Sequence, residues 1–314
     1  VTRMVVGLGP RPGGSPRHGQ SDSDALRGAL RALAADQQVV GAEQALREAS
    51  AELRWNEALR RRWREARAEA AVRCAVASAA AEGAVVPAGA LREAVAGRGL
   101  GRAVTGDPAL DAAAGLWRAG VRLTTWMPEL RGTGRPTPPG ARALLASLHR
   151  DVVGPLAAAG RIGWGEVAVP REPGADPREA GPGPAPDGAG LRARLTGLLR
   201  LVEVEEAPAL VRAAVVHGEM IAARPFTAGN AAVGRLLLRH LVTRDGLEPT
   251  GTAVPDLYVA RAPGAYAEAA AAYASGEPQG VTAWVLWQAE ALLVGIEEAH
   301  SVCRAVQAGT TGNA

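Results

Sequence analysis

Gly229 and Asn230 stand directly before a helical pattern, and Arg235 falls in its second turn. Asn is among the best helix N-caps, and the spacing predicts that role for Asn230. The first N–H groups of a helix have no partner within it and point outward. With the helix dipole they attract an anion, typically a phosphate. A helical side chain leans back toward the N-terminus, so Arg235 reaches the same place. Its guanidinium can bind a phosphate through two parallel N–H bonds. Arg239, one turn further, shares that side. Any capped helix has such a terminus, and most meet only water. An anion cradle and a plain capped helix both fit these residues.

Groups able to take up a proton are scarce nearby. Arg224 stays protonated in proteins, and the Thr227 hydroxyl is no base. His217 lies about two helical turns before Arg224. It shares an inward stripe with Leu210, Ala214 and Ile221, where a hydrogen-bonded core histidine is expected. His240 is too far along the next helix. Asp256 and Tyr258 follow, and pattern alone does not place either.

Helices must position these groups. "DALRGALRALAADQQ" and "GAEQALREASAELRW" each carry helical periodicity, and the pattern continues from Asn56 to Gly83. "PALDAAAGLWRAGVRLTTW" is another helix. The next segment puts Leu145, Leu148, Val152 and Leu156 on one stripe, with Pro138 and Pro139 suited to its first turn. "GRIGWGEVAVP" alternates from Trp164 to Val169 like a short strand, before a Pro/Gly-rich loop to residue 188. Helical pattern resumes at Leu191, at Pro208, over 231–243 and in two segments of the C-terminal part. The predicted class is all-α, with one small β-hairpin at 161–188. Residues 1–22 are expected to be disordered, 23–105 to form an N-terminal helical region, 106–300 the main domain and 301–314 a flexible tail.

Composition narrows the function classes. The chain has 314 residues, 47% of them hydrophobic and only 4% aromatic, with Phe226 the single Phe. Its 35 basic residues are all Arg against 32 acidic ones, a net charge of +3. That balance argues against a nucleic-acid partner. The run "RWNEALRRRWREARAEA" interleaves Glu at helical spacing, as a solvated face does. Cys74 and Cys303 are far apart in helical sequence, and reduced thiols are expected. No apolar run approaches the ~20 residues of a membrane span. Without an export signal, a cytoplasmic location is expected.

The stretch "AVVHGEMIAARPFTAGNAAVGR" resembles the signature of the Fic (Fic/Doc, Fido) family, His-Pro-Phe-x-Asp/Glu-Gly-Asn-Gly-Arg-x-x-Arg. Pro225, Phe226, Gly229, Asn230 and Arg235 match at their places, and His217 matches a histidine often found upstream. A second stretch, "SAAAEG" from Ser78 to Gly83, resembles the family's inhibitory motif, Ser/Thr-x-x-x-Glu-Gly/Asn. Its place is that of the class with an N-terminal inhibitory helix. The resemblance implies that Glu82 pairs with Arg235. A carboxylate at a helix C-terminus, with Gly83 as the stop, is disfavoured by the dipole and gains from a cation. An exposed Glu at a frayed helix end is the other reading. The segment 161–188 sits where the family carries a flap that clamps a target by strand addition. The likeness spans residues 70–300.

The pattern also breaks. The family's catalytic histidine falls at Arg224, which cannot accept a proton. Its acidic Mg²⁺ ligand falls at Ala228, and a methyl group binds no metal. Its third glycine falls at Ala231, and the first Arg of its pair at Ala232. Three functions stay open. The first is a Fic-fold pseudoenzyme that binds ATP or another phosphate-bearing ligand without Mg²⁺ and regulates through Glu82. The second is an active nucleotidyl or AMP transferase with a divergent site, modifying protein hydroxyls. The third is a structural or interaction protein without a small ligand. A protein target at the flap and a homodimer through helical faces are compatible with each.

Overall fold

The computed structural model describes residues 18–98, 105–132, 134 and 136–311. The expectations of disorder for 1–17 and of a flexible tail for 312–314 fall outside these residues. Among those described, every regular element is helical. The helices are α1 (His18–Ala34), α2 (Gln37–Arg54), α3 (Glu57–Arg61), α4 (Trp63–Ala81), α5 (Ala88–Arg98), α6 (Pro108–Thr124) and α7 (Ala141–Ala158). Then follow α8 (Gly188–Glu203), α9 (Ala209–Ala223), α10 (Asn230–Arg244), α11 (Asp256–Arg261), α12 (Pro263–Ala274) and α13 (Pro278–Ala308).

Several expectations need correction. Residues 18–22 belong to α1, not to a disordered arm. The C-terminal segment is not a flexible tail up to residue 308. There α13 continues and buries Val302, Cys303 and Val306, an apolar stripe at helical spacing. Pro138 and Pro139 lie before α7. The helix opens after Gly140, and the Glu203 carboxylate accepts from the Ala141 N–H at 3.0 Å. The β-hairpin is absent among the described residues. Its alternating stretch folds instead as a single 3-10 turn, Trp164–Glu166. The Glu166 side chain accepts from the Gly163 N–H at 2.7 Å, a local bond that outweighs alternation without a partner strand. Both cysteines are free and buried, as expected.

The core centres on α9 and α10, which pair closely. Helix α9 is Ala- and Val-rich and buried on nearly every side. Small side chains let its neighbours approach. At Gly234 of α10, an added Cβ would stand 2.6 Å from His217 Cδ2, so only Gly fits that crossing. Trp284 of α13 is fully buried and donates its Nε1–H to Ala214 O at 2.7 Å. It stacks against Trp287 at 5.9 Å and meets Tyr266, Tyr273 and His217 edge-on or tilted. Four of the eleven Phe, Trp and Tyr residues are thus gathered in one buried cluster against α9.

Helix α4 is fastened to this core along its length. The buried Arg67 donates to Thr250 O and Pro128 O, each at 2.8 Å. The buried Glu69 holds Arg73 at 2.9 Å and Arg92 of α5 at 2.7 Å. Arg73 also pairs with Glu298 of α13. Among the described residues, no helix is long and apolar enough to cross a membrane.

Candidate anion-binding site

The motif loop joins α9 to α10. Helix α9 ends on Arg224 in the left-handed region, φ +44°. A long side chain there costs about 1 kcal/mol or more, and glycine is the usual choice. Two bonds hold it. Arg171 Nε donates to Arg224 O at 2.9 Å, and the Arg224 guanidinium donates to Gly183 O. Ala168 is also left-handed, φ +63°, and its N–H donates to His149 Nδ1 at 2.8 Å. Strained backbone therefore gathers around this loop.

Gly229, not Asn230, is the N-cap of α10. It sits at φ +78°, where an added Cβ would press on Val153 at 2.8 Å. Asn230 is the first helical residue. Its fully buried side chain folds back on the loop, accepting from Phe226 N at 2.8 Å and donating to Phe226 O at 2.9 Å. An amide that both donates and accepts closes this turn, as a carboxylate could not. Beneath it, the His149 ring of α7 stacks on Phe226 with centroids 3.8 Å apart. His149 Nε2 donates to Ala228 O at 3.0 Å. Both ring nitrogens are thus committed, and burial lowers the pKa to about 4. This imidazole pins the loop and is not placed to act as a base. It was missed in sequence, although a His three positions before Val152 and four after Leu145 lies on the inward stripe.

The outward N–H at the start of α10 already holds a carboxyl group. Glu179, from the segment between α7 and α8, accepts from Asn230 N at 2.7 Å and also from Asn230 Nδ2. Burial raises its pKa, the Glu82 charge adds to this, and the Asn230 bonds and Arg235 oppose it. No sequence pattern marked Glu179, which lies in a Pro/Gly-rich run.

Arg235 is buried one turn further on. Its Nη2 lies 2.6 Å from Glu82 Oε1, and its Nε donates to Ser78 Oγ at 3.0 Å. Asp256 Oδ1 stands 3.3 Å from the same Nε. Ser78, Glu82 and Arg235 are therefore brought together, with Glu82 as C-cap of α4 and Gly83 at φ +83°. Asp256 joins them. Tyr258 does not, and it donates to Glu290 at 2.8 Å. Arg239 does not turn to the cradle either. It is buried, and its charge acts on Glu248. His217 Nε2 meets the Tyr266 hydroxyl at 2.9 Å, and burial lowers its pKa to about 3. His240 is buried against Trp126. Ala228, Ala231 and Ala232 present only methyl groups.

No protein-family sequence model matches the chain, and none of the curated proteins does. Solved structures do. A Fic family protein from Desulfovibrio desulfuricans G20 superposes with a TM-score of 0.61 at 19% identity, over 83% of this chain and 74% of that one. Fic-1 from C. elegans gives 0.58 at 15% identity, over 93% and 79%. A Fic domain containing signaling protein from Bacteroides thetaiotaomicron gives 0.54 at 16%, over 84% and 98%. At these identities the likeness speaks for architecture, and the chain has the helical fold of the Fic proteins.

Proposed function

We propose that this chain is a Fic-fold protein without AMP transfer, which keeps a site for a phosphate-bearing ligand at Gly229, Asn230 and Arg235. The observation that carries the reading is Arg224. It stands where the resemblance places the base, and its guanidinium is turned to Gly183 O. Losing a general base costs about 10²–10⁴-fold in rate. Mg²⁺ does not fit the residues present. Ala228 offers no oxygen from its side chain, and Glu179, Glu82 and Asp256 are engaged with Asn230 and Arg235. A phosphate would instead draw on the α10 N-terminus and on the Arg235 charge. In this reading Glu82 competes for Arg235 and sets a closed resting state.

Calorimetry with ATP, with and without Mg²⁺, tests binding on wild type and Glu82→Gly. A labelled-ATP transfer assay runs beside it. Binding that needs no Mg²⁺, with no label transferred, is expected. Label transfer by either protein overturns the reading in favour of an active transferase. No binding by either overturns it in favour of an interaction protein.

A further inference from the structure

The segment between the 3-10 turn and α8 lies across the motif loop. Arg171 N donates to Pro225 O and Arg178 N to Thr227 O, each at 2.8 Å. The two carbonyls flank Phe226 in the motif loop, and both are taken by this chain itself. The buried Arg171 guanidinium clips the arrangement. It donates to Arg224 O at 2.9 Å, to Ala175 O at 2.8 Å and to Pro186 O. Arg178 is held in turn by Glu166 at 2.6 Å. Gly181 lies flat on the Arg224 guanidinium, and a Cβ there would collide with it. At the centre of the segment, Glu179 fills the α10 N-terminus.

We propose that residues 171–187 form an autoinhibitory strap, with Glu179 as an internal anion that a phosphate-bearing ligand must displace. The inference rests on the reading of the α10 N-terminus as a phosphate site. It differs from the Glu82 contact in place and in partner. Glu82 holds the Arg235 guanidinium, whereas Glu179 holds the Asn230 N–H groups. The Glu82 charge lies close enough to disfavour a charge on Glu179. A dianionic phosphate has more charge than one carboxylate and can meet Asn230 and Arg235 together. Strap closure lowers the apparent affinity of such a ligand by the fraction of open molecules.

The test uses the full chain as wild type, Glu179→Ala and Gly181→Ala. The second variant disturbs the strap through Arg224 and leaves the cradle residues intact. Inorganic phosphate is titrated by calorimetry, and amide hydrogen exchange is followed over 172–187 and at Asn230. Glu179→Ala is expected to bind phosphate about tenfold more tightly than wild type, the worth of one charge-assisted hydrogen bond. Gly181→Ala should gain less, since the Arg224 guanidinium that it displaces is the end of a flexible side chain. Phosphate should also speed exchange over 172–187 in wild type. Equal affinities in all three proteins, or binding with the strap still protected, overturn the strap. Should none of them bind phosphate or ATP, the ligand-binding reading falls. The strap is then decided without ligand. Faster exchange of the Asn230 amide in Glu179→Ala supports it, and unchanged exchange overturns it.

Discussion

Glu82 Oε1 stands 2.6 Å from Arg235 Nη2, and the two residues reach each other from helices that are both fixed in the core. Helix α4 is tied by Arg67, Glu69 and Arg73 to the residue-250 loop, α5 and α13. The clamp is therefore a local carboxylate contact, not a mobile arm. Glu82→Gly should remove one carboxylate from Arg235, leaving its Ser78 and Asp256 contacts, while α4 stays in place. Half-exposed as Glu82 is, the loss of stability should be only about 1 kcal/mol, read as a shift in denaturation midpoint. ATP binding should tighten in the same protein. A collapse of helicity in circular dichroism would contradict a local contact.

On the proposed reading, gaining transfer should take more than the motif residues. Arg224→His, Ala228→Asp, Ala231→Gly and Ala232→Arg together would supply a base, a metal ligand, a closer backbone and a phosphate contact. Yet Glu179 and Glu82 would still occupy Asn230 and Arg235. The fourfold variant should transfer label from ATP weakly or not at all. Adding Glu82→Gly and Glu179→Ala should raise transfer by at least about tenfold. Equal rates with and without the two added changes would show that neither carboxylate blocks the site.

The motif loop was legible because its residues do local work. Asn230 closes a five-residue turn and Gly229 takes a positive φ. The long-range pairing of Arg235 with Glu82 followed from the resemblance of "SAAAEG" to a family motif and not from local pattern. The helices were legible from periodicity, since buried stripes recur at 3.6 residues. What was not legible depends on long-range placement. Glu179 meets Asn230 across 51 residues of chain, and nothing in "DPREAGPG" announces it. The strand at Trp164–Val169 was misread because alternation carries no partner, and a Glu166-to-Gly163 bond was enough to coil it. Asn230 was misplaced by one residue, since Gly229 could take the cap conformation and free the amide for Phe226.

His149 should matter for the loop through hydrogen bonds more than through stacking. His149→Phe keeps a ring on Phe226 but leaves Ala168 N and Ala228 O without their partners. A polar group left unpaired costs about 1–3 kcal/mol when fully buried and less at these half-buried positions. A loss of ~2 kcal/mol in urea unfolding is expected, with faster amide exchange at Ala168. A variant as stable as wild type would mean that the stacked ring alone fixes the loop.

Acid should destabilise the fold well before its carboxylates titrate. Burial holds His149 at about 4, His217 at about 3 and His240 at about 4. All three are neutral in the folded chain near pH 6.5, where the unfolded chain begins to protonate them. A lowered folded-state pKa means that the unfolded state binds more protons, so stability falls as pH falls. The window opens near 6.5 and closes near 3–4. Each unit traversed costs up to ~1.4 kcal/mol per residue. Glu179 and Glu248 run the other way. Their raised pKa values give a contribution that is present in acid and lost as pH rises through the folded values. Three buried imidazoles outnumber these two carboxyls, so urea midpoints should drop from pH 7 to pH 4.5. His240→Phe, which keeps a buried ring against Trp126, should flatten that slope by about a third of its value. An unchanged slope in the variant would remove His240 from the set of linked groups.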